Sequence, residues 1–335
     1  MIITKTPFRM SFFGGGTDIK SFFLEYGGAV LSSTFDKYCY VTVRHLPRFF
    51  DYCTELSYSK TERVTSVDDI HHPAIRNAMK MLDMHEIRLT YEADLPARSG
   101  LGTSSSFAIG MLNAFYALKG RYADKKKLAD KAIYLERVLC NEAGGWQDQI
   151  ASSFGGFNKI IFNTDGTYNV LPVIIHPGRK EQLNNNLMLF FTGFTRFSSD
   201  MQIINATSND NRIEYLKEML QLVNEAEEVL IDKRGDIDEF GRLLDYTWKL
   251  KRQTGKAIST ERIDELYDNG IKAGAIGGKL LGAGGGGFLL FYVQPDKQAA
   301  VREAMKNLLY VPFQFEDGGT RVIYYAPEEY IPREE

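Results

Sequence analysis

Cysteine and histidine are scarce in this sequence, and neither is arranged for cross-linking or for zinc. The 335 residues include three cysteines, Cys39, Cys53 and Cys140. An odd count argues against a disulfide framework, and their wide spacing lacks the paired pattern of a zinc site. We therefore expect a reducing compartment. Five histidines in the whole chain give little support to a metal-hydrolase centre.

The chain also lacks an excess of positive charge and a long apolar segment. The formal net charge is −3 and the pI is about 6.0, unlike most proteins that bind nucleic acid or anionic membranes. The longest apolar run, residues 288–293, is far too short to span a bilayer. Residues 1–13 contain no apolar stretch of signal-peptide length. We expect a cytoplasmic protein that acts on small molecules and binds neither nucleic acid nor membranes.

Residue patterns predict an α+β chain of two domains. Runs of β-branched and aromatic residues predict strands at residues 2–13, 29–45, 86–92, 187–192 and 288–293. Apolar residues at helical spacing predict helices at residues 67–82, 107–118, 125–141, 199–233, 237–251 and 262–272. The long helical patterns begin only after residues 175–190. We therefore predict an N-terminal domain at 1–180 and a C-terminal domain at 181–335.

A glycine- and serine-rich segment lies between a predicted strand and a predicted helix, at residues 95–106. Glycine allows close approach of a ligand to the backbone, and the free N–H groups and dipole of the following helix favour an anion. The hydroxyls of Thr103, Ser104 and Ser105 add hydrogen bonds to phosphate or a ligand for Mg²⁺, which prefers oxygen. A triphosphate site fits this pattern. An ordinary serine-capped helix after a glycine turn is the alternative.

A second glycine run, at residues 282–287, contains the spacing G-x-G-x-x-G. The strand-like residues that follow argue against a dinucleotide fingerprint, which requires a helix at that point. The chain has no Walker A sequence either, because Gly278-Lys279 is followed by leucine. Consecutive glycines lose much backbone entropy on folding and are typical of a close backbone approach. This favours a functional loop over a flexible turn.

Four charged residues lie near these loops and suit phosphoryl transfer, which needs a cation, a metal-holding carboxylate and a group that orients the attacking hydroxyl. Asp148 and Asp18 each follow a glycine turn, and Arg9 lies on the strand that enters the first turn. Glu136 lies on a predicted helix twelve positions before Asp148. Each residue alone also fits a turn or a solvated surface charge. Their combination favours the catalytic interpretation.

Three segments, in this order, resemble the motifs of the GHMP kinases, the superfamily of galactokinase, homoserine kinase and mevalonate kinase. They read TPFRMSFFGGGTD at 6–18, LPARSGLGTSS at 95–105 and KLLGAGGGGF at 279–288. The resemblance implies a two-lobed α+β fold with a left-handed βαβ unit in the N-terminal lobe and a ferredoxin-like C-terminal lobe. The general rule for crossovers alone would predict the right-handed form.

The same resemblance implies ATP and Mg²⁺ as cofactors and assigns roles to individual residues. Within it, GGWQDQ at 144–149 is similar to the galactokinase segment that contacts the reacting sugar hydroxyl. This makes Asp148 the catalytic aspartate and Arg9 the group that stabilises the transferring phosphoryl. The remaining implied contacts are to substrate by Thr17, Asp18 and Gly145, to metal by Ser104 and Glu136, and to ATP by Gly100, Leu101, Gly102, Thr103, Ser104, Ser105, Gly284 and Gly285.

The substrate expected from the resemblance is a sugar phosphate. The chain departs from galactokinase at FGGGT, residues 13–17, and at the Thr-Ser-Ser of 103–105. The FGGGTD variant, GWQDQ and WKLKR at 248–252 resemble the bacterial D-glycero-D-manno-heptose 7-phosphate kinases. That subfamily phosphorylates the anomeric hydroxyl to give a 1,7-bisphosphate for GDP-heptose and surface polysaccharide. The alternatives are a kinase for an unphosphorylated sugar such as fucose or galactose, and a GHMP-fold binding protein without turnover.

A heptose 7-phosphate requires a cation for its existing phosphate. Arg196 is the first candidate, because an arginine fork binds phosphate through two hydrogen bonds. Lys249, Lys251, Arg252 and Arg98 are the alternatives. The sequence leaves open whether Asp148 acts as a base or as a positioning group, and it leaves the oligomeric state open.

Overall fold

The computed structural model describes residues 1–97, 99–193, 211–255 and 257–328, and it contains two β-sheets flanked by helices. The strands are β1 Ile2–Phe13, β2 Gly28–His45, β3 Thr54–Ser57, β4 Thr61–Val64, β5 Ile87–Ala93, β6 Phe157–Phe162, β7 Tyr168–Pro172, β8 Leu187–Phe191, β9 Gly277–Leu280, β10 Phe288–Tyr292, β11 Leu309–Tyr310, β12 Phe315–Glu316 and β13 Arg321–Tyr325. The helices are α1 Lys20–Tyr26, α2 Pro73–Leu82, α3 Thr103–Leu118, α4 Lys125–Tyr134, α5 Gln147–Phe154, α6 Pro177–Asn185, α7 Arg212–Ile231, α8 Asp238–Gln253, α9 Glu261–Lys272 and α10 Gln298–Ala304.

The first sheet is built around the long strand β2. Its first half pairs with β6 and its second half with β5, while β1 runs antiparallel along most of its other edge. Strands β12 and β13, near the end of the chain, pair with β2 and β1. β1 therefore lies inside the sheet, and its last residues are held where the chain turns into the loop at 14–18.

The second sheet has four antiparallel strands in the order β11-β8-β10-β9. Helices α7, α8 and α9 connect β8 to β9, and α10 connects β10 to β11. Taken in chain order, the strands have the arrangement 4-1-3-2 of a ferredoxin-like fold. The two-lobed α+β prediction is confirmed. The hand of the crossover in the first lobe and the boundary at residue 180 stay predictions.

The helices predicted at 67–82 and 199–233 differ from the structure in their bounds. The helix expected at 67–82 is divided into a 3₁₀ turn, Val67–Asp69, and α2, which begins at Pro73. Proline disfavours helical geometry in the residue before it but is well suited to the first helical position. Of the helix expected at 199–233, α7 is the described part, and residues 194–210 lie outside the described residues. In the described ranges, no helix has the length and apolar character needed to cross a membrane.

Phe12, near the end of β1, joins both lobes in one hydrophobic core. Its ring lies 5.4 Å from Phe157, 5.5 Å from Phe240 and 6.3 Å from Phe315, measured between centroids, and it is fully buried. Replacing Phe12 with Ala should lower the free energy of unfolding by about 3–5 kcal/mol, because it leaves a cavity in this core. Urea denaturation measures the change. Phe49→Ala, at a side chain that is 94% exposed, should change it by less than about 0.5 kcal/mol.

Candidate active site

A cleft lies where the turn after β1, the loop before α3, the loop before α5 and the glycine run after β9 converge. Both lobes contribute to its walls. Eleven of the predicted site residues line it: Arg9, Asp18, Gly100, Gly102, Thr103, Ser104, Ser105, Glu136, Gly145, Asp148 and Gly284. Segments far apart in the sequence thus form one candidate site.

Three other predicted site residues that the structure describes do not line the cleft. Leu101 is fully buried in the hydrophobic core. Thr17 is also fully buried, and its hydroxyl donates to the Gly14 carbonyl at 2.8 Å, which holds the turn after β1. Gly285 donates its N–H to the Ile258 carbonyl at 3.0 Å. Arg196 lies outside the described residues.

Arg9 and Asp148 form an ion pair in the cleft. The guanidinium Nε and Nη2 each lie 2.7 Å from Oδ1 of Asp148, and Nη1 donates to the Gly100 carbonyl at 2.9 Å. The Arg9 side chain is 4% exposed and that of Asp148 is 26% exposed. The guanidinium is therefore fixed from two sides, while the carboxylate stays reachable from the cleft.

Asp18 is held by backbone N–H groups from two loops. Its Oδ1 accepts from Gly16 at 2.9 Å, and its Oδ2 accepts from Gln147 at 3.2 Å. Burial raises the pKa of this carboxyl, and the nearby charge of Asp148 raises it further. Gly145 lies so close that a Cβ there would be 1.8 Å from Oδ2 of Asp18. The loop before α5 thus determines the position of Asp18.

Glu136 is a buried carboxylate beside the loop that precedes α3. It lies in a π-helical turn, Leu135–Leu139, a local widening that is frequent at functional sites. Its Oε2 accepts from the Ser105 hydroxyl at 2.8 Å and from the Gln149 side-chain amide, and Arg137 Nη2 lies 3.8 Å away. Burial raises the pKa of Glu136 to about 7, although Arg137 opposes the shift.

These groups fit a magnesium ion. Mg²⁺ in nucleotide sites is held by one or two carboxylates together with substrate phosphates. Glu136 supplies the carboxylate, and the exposed hydroxyl of Ser104 lines the same cleft. Ser105 hydrogen-bonds directly to that carboxylate. Within the described ranges, no three acidic, histidine or cysteine side chains form a metal cluster.

The two glycine loops touch each other through their backbones. Gly100 and Gly282 have φ values of +84° and +86°, in the left-handed region. A Cβ on Gly282 would lie 2.3 Å from the Cα of Gly100. Directly behind Gly102, the buried helix α3 begins, and the N–H groups of its first turn have no intrahelical partner. The loops therefore form a cradle for an anion at the junction of the two lobes.

Lys279 was not predicted as a site residue, although it is the first residue of the third family motif, residues 279–288. The side chain is 2% exposed and lines the cleft. Its ammonium donates to the carbonyls of Ser11 and Phe12 at 3.0 and 2.6 Å. Burial lowers the pKa of Lys279 well below its usual value. This lysine ties the second lobe to the end of β1, next to Arg9.

Three of the four alternative cations are described, and their surroundings differ. Lys249 is exposed, and its ammonium lies 2.6 Å from Oδ2 of Asp245. Nη1 of Arg252 lies 3.0 Å from Oδ1 of Asp264. Lys251, on the same helix, lines the cleft. Arg98 lies outside the described residues.

Comparisons with known proteins agree with this architecture. The family models for the GHMP kinases N terminal domain and the GHMP kinases C terminal match residues 70–156 and 217–311. A D-glycero-alpha-D-manno-heptose 7-phosphate kinase of Campylobacter jejuni is 29% identical over 91% of this chain and 93% of that protein. An L-fucokinase/L-fucose-1-P guanylyltransferase of Bacteroides fragilis is 32% identical over 64% of this chain and 23% of that protein. The crystal structure of a D-glycero-D-manno-heptose 1-phosphate kinase from Bacteroides thetaiotaomicron matches with a TM-score of 0.78 at 25% identity, over 97% of this chain and 99% of that one.

Proposed function

The chain belongs to the GHMP kinases, and from that premise we propose that it transfers phosphate from ATP to the anomeric C1 hydroxyl of D-glycero-D-manno-heptose 7-phosphate. It is an ATP-dependent sugar kinase. The observation that carries the proposal is the Arg9–Asp148 pair beside the anion cradle of α3. Support for the heptose phosphate comes from the Campylobacter jejuni relative, which matches nearly the whole chain.

In the proposed reaction, the C1 oxygen attacks the γ-phosphorus of ATP in line, and the bond between that phosphorus and the β,γ-bridging oxygen breaks. Asp148 accepts a hydrogen bond from the C1 hydroxyl, orients its oxygen and favours loss of its proton. Arg9 offsets the negative charge on the phosphoryl group in flight. The first-turn N–H groups of α3 hold the triphosphate. Glu136 and Ser104 would hold Mg²⁺, which would offset negative charge on the triphosphate.

An assay that couples ADP formation to NADH oxidation, with Mg²⁺ and a panel of free and phosphorylated sugars, tests the proposal. We expect selective turnover of the heptose 7-phosphate. Turnover of free sugars alone would support a sugar kinase but contradict heptose 7-phosphate as its substrate. No turnover with any sugar would contradict the kinase itself.

A kinase for an unphosphorylated sugar is the second candidate. The similarity to the fucokinase-containing protein of Bacteroides fragilis, over 64% of this chain, favours it. Such an enzyme would use the same anion cradle and the same Arg9–Asp148 pair but no cation for a distal phosphate. The sugar panel separates the two, because fucose should then be turned over more efficiently than the heptose phosphate.

The contact between Gly145 and Asp18 predicts a strong effect of one methyl group. In Gly145→Ala, the new Cβ would collide with the Asp18 carboxylate, which we propose binds sugar hydroxyls. We expect kcat/KM for the sugar to fall by roughly 10²-fold, as for a displacement of about 1 Å in other active sites, with little change in the KM for ATP. Steady-state kinetics with each substrate varied measures this. Gly178→Ala is the control, because a Cβ there meets only ordinary contacts on α6.

A further inference from the structure

Lys251 is a cleft cation to which the mechanism above gives no role. It lies in the last turn of α8, and its ammonium donates to the carbonyl of Gly282. Gly282 is the residue whose backbone touches Gly100, and Gly100 accepts a hydrogen bond from Arg9. Lys251 and Arg9 therefore hydrogen-bond to the two glycines that touch each other, close to the first turn of α3.

The charges around Lys251 favour an anionic ligand. The neighbouring cations are Arg9 and Lys279, and the neighbouring carboxylates are Asp18 and Asp148. Asp148 is paired with Arg9, and Asp18 accepts from backbone N–H groups. Among the described residues, the Lys251 ammonium hydrogen-bonds to the Gly282 carbonyl and forms no ion pair with a carboxylate. Three cations thus meet at one end of the cleft with a single ion pair between them.

We propose that Lys251 binds the γ-phosphoryl group of ATP during its transfer and shares its charge with Arg9. The inference rests on the proposed kinase function. The position of Lys251 favours the γ-phosphoryl group over the phosphate already present on the sugar. That phosphate is at the opposite end of the heptose carbon chain from C1. Lys251 lies instead at the two glycine loops, where the triphosphate is held. It is thus a catalytic residue from the second lobe, opposite Arg9 from the first.

The proposal predicts a specific dependence on pH. Burial, together with the charge of Arg9, lowers the pKa of Lys251 in the free enzyme to about 8. The ammonium form is needed to bind phosphate, so kcat/KM for ATP should fall as the pH rises through about 8. A bound phosphate favours the charged form, so kcat should keep its value to higher pH. Arginine does not titrate in this range, and Lys251→Arg should remove the fall.

The test compares Lys251→Met, Lys251→Arg and the control Lys272→Met, which alters an exposed lysine in the last turn of α9, outside the cleft. With saturating heptose 7-phosphate, Lys251→Met should lower kcat by about 10²–10³-fold, the usual effect of losing one group that stabilises the transition state, and leave the KM for the sugar within about threefold. Lys251→Arg should recover at least about tenfold of that loss, because it restores the cation. Lys272→Met should match the wild type.

Three results would overturn the proposal, and the simplest is a Lys251→Met variant that equals an active wild type. A higher KM for the sugar phosphate with an unchanged kcat would place Lys251 at the distal phosphate. A lower melting temperature for Lys251→Met, with the alkaline fall in kcat/KM still present, would show that the lysine only holds the Gly282 loop. If the wild type itself fails to phosphorylate any sugar, the kinase assignment fails. If the wild type is active and Lys251→Met equals it, only the role of Lys251 fails.

Discussion

Replacement of Asp148 by Asn is expected to lower kcat by about 10²–10⁴-fold, the range for loss of a group that assists proton transfer. Asparagine keeps the shape of the side chain, and its Oδ1 still accepts from Arg9 across the 2.7 Å contact. It removes the negative charge and the ability to accept the proton of the sugar hydroxyl. Because the ground-state contacts are largely kept, the KM values for ATP and sugar should change by less than about threefold.

The matched control for this variant is Asp268→Asn, at an exposed position of α9. It makes the same chemical change outside the cleft and should leave kcat unaltered. Circular dichroism and thermal melting check that both variants fold. An Asp148→Asn enzyme with wild-type kcat would remove Asp148 from the chemistry and leave the Arg9 pair as a structural ion pair.

Replacement of Arg9 by Met should have an effect of similar size. The guanidinium directs Nε and Nη2 at Asp148 and donates from Nη1 to the Gly100 carbonyl, and the side chain is 4% exposed. Its loss removes a fixed cation from the phosphoryl path, which in comparable enzymes lowers kcat by about 10³-fold or more. Arg9→Lys should restore only part of the rate, because an ammonium cannot hold both partners in the fork geometry.

Combining the two substitutions distinguishes joint from separate action. If Arg9 and Asp148 act as a unit on the same transition state, Arg9→Met with Asp148→Asn should be little slower than the slower single variant. Rate losses that multiply would instead show independent roles. Single-turnover measurement of ADP formation, at saturating ATP and sugar, keeps product release out of the comparison.

The strands and the glycine loop before α3 could be predicted because their signals are local. β1 was expected at 2–13 and is Ile2–Phe13, since its β-branched and aromatic residues end at a run of glycines. The order of strand, glycine loop and helix around α3 was likewise readable. Arg9 and Asp148 are 139 residues apart, and no local pattern predicts that their side chains form a pair.

Other features depend on tertiary contacts that no local pattern contains. The return of β12 and β13 to the first sheet is a pairing between the two ends of the chain. Lys279 reads as one residue of a strand, and its burial arises only because carbonyls of the other lobe cover it. Neighbouring residues on a helix point about 100° apart. The first turn of α3 therefore decides that Ser105 hydrogen-bonds to Glu136 while Ser104 is exposed.

The most direct test of the central claim is ³¹P NMR of the product formed from ATP, Mg²⁺ and D-glycero-D-manno-heptose 7-phosphate. Phosphorylation at C1 should give one new sugar-phosphate signal that couples to the anomeric proton, beside the retained C7 phosphate, with ADP formed in equal amount. ADP without a new sugar phosphate, or a new phosphate on a hydroxyl other than C1, would contradict it.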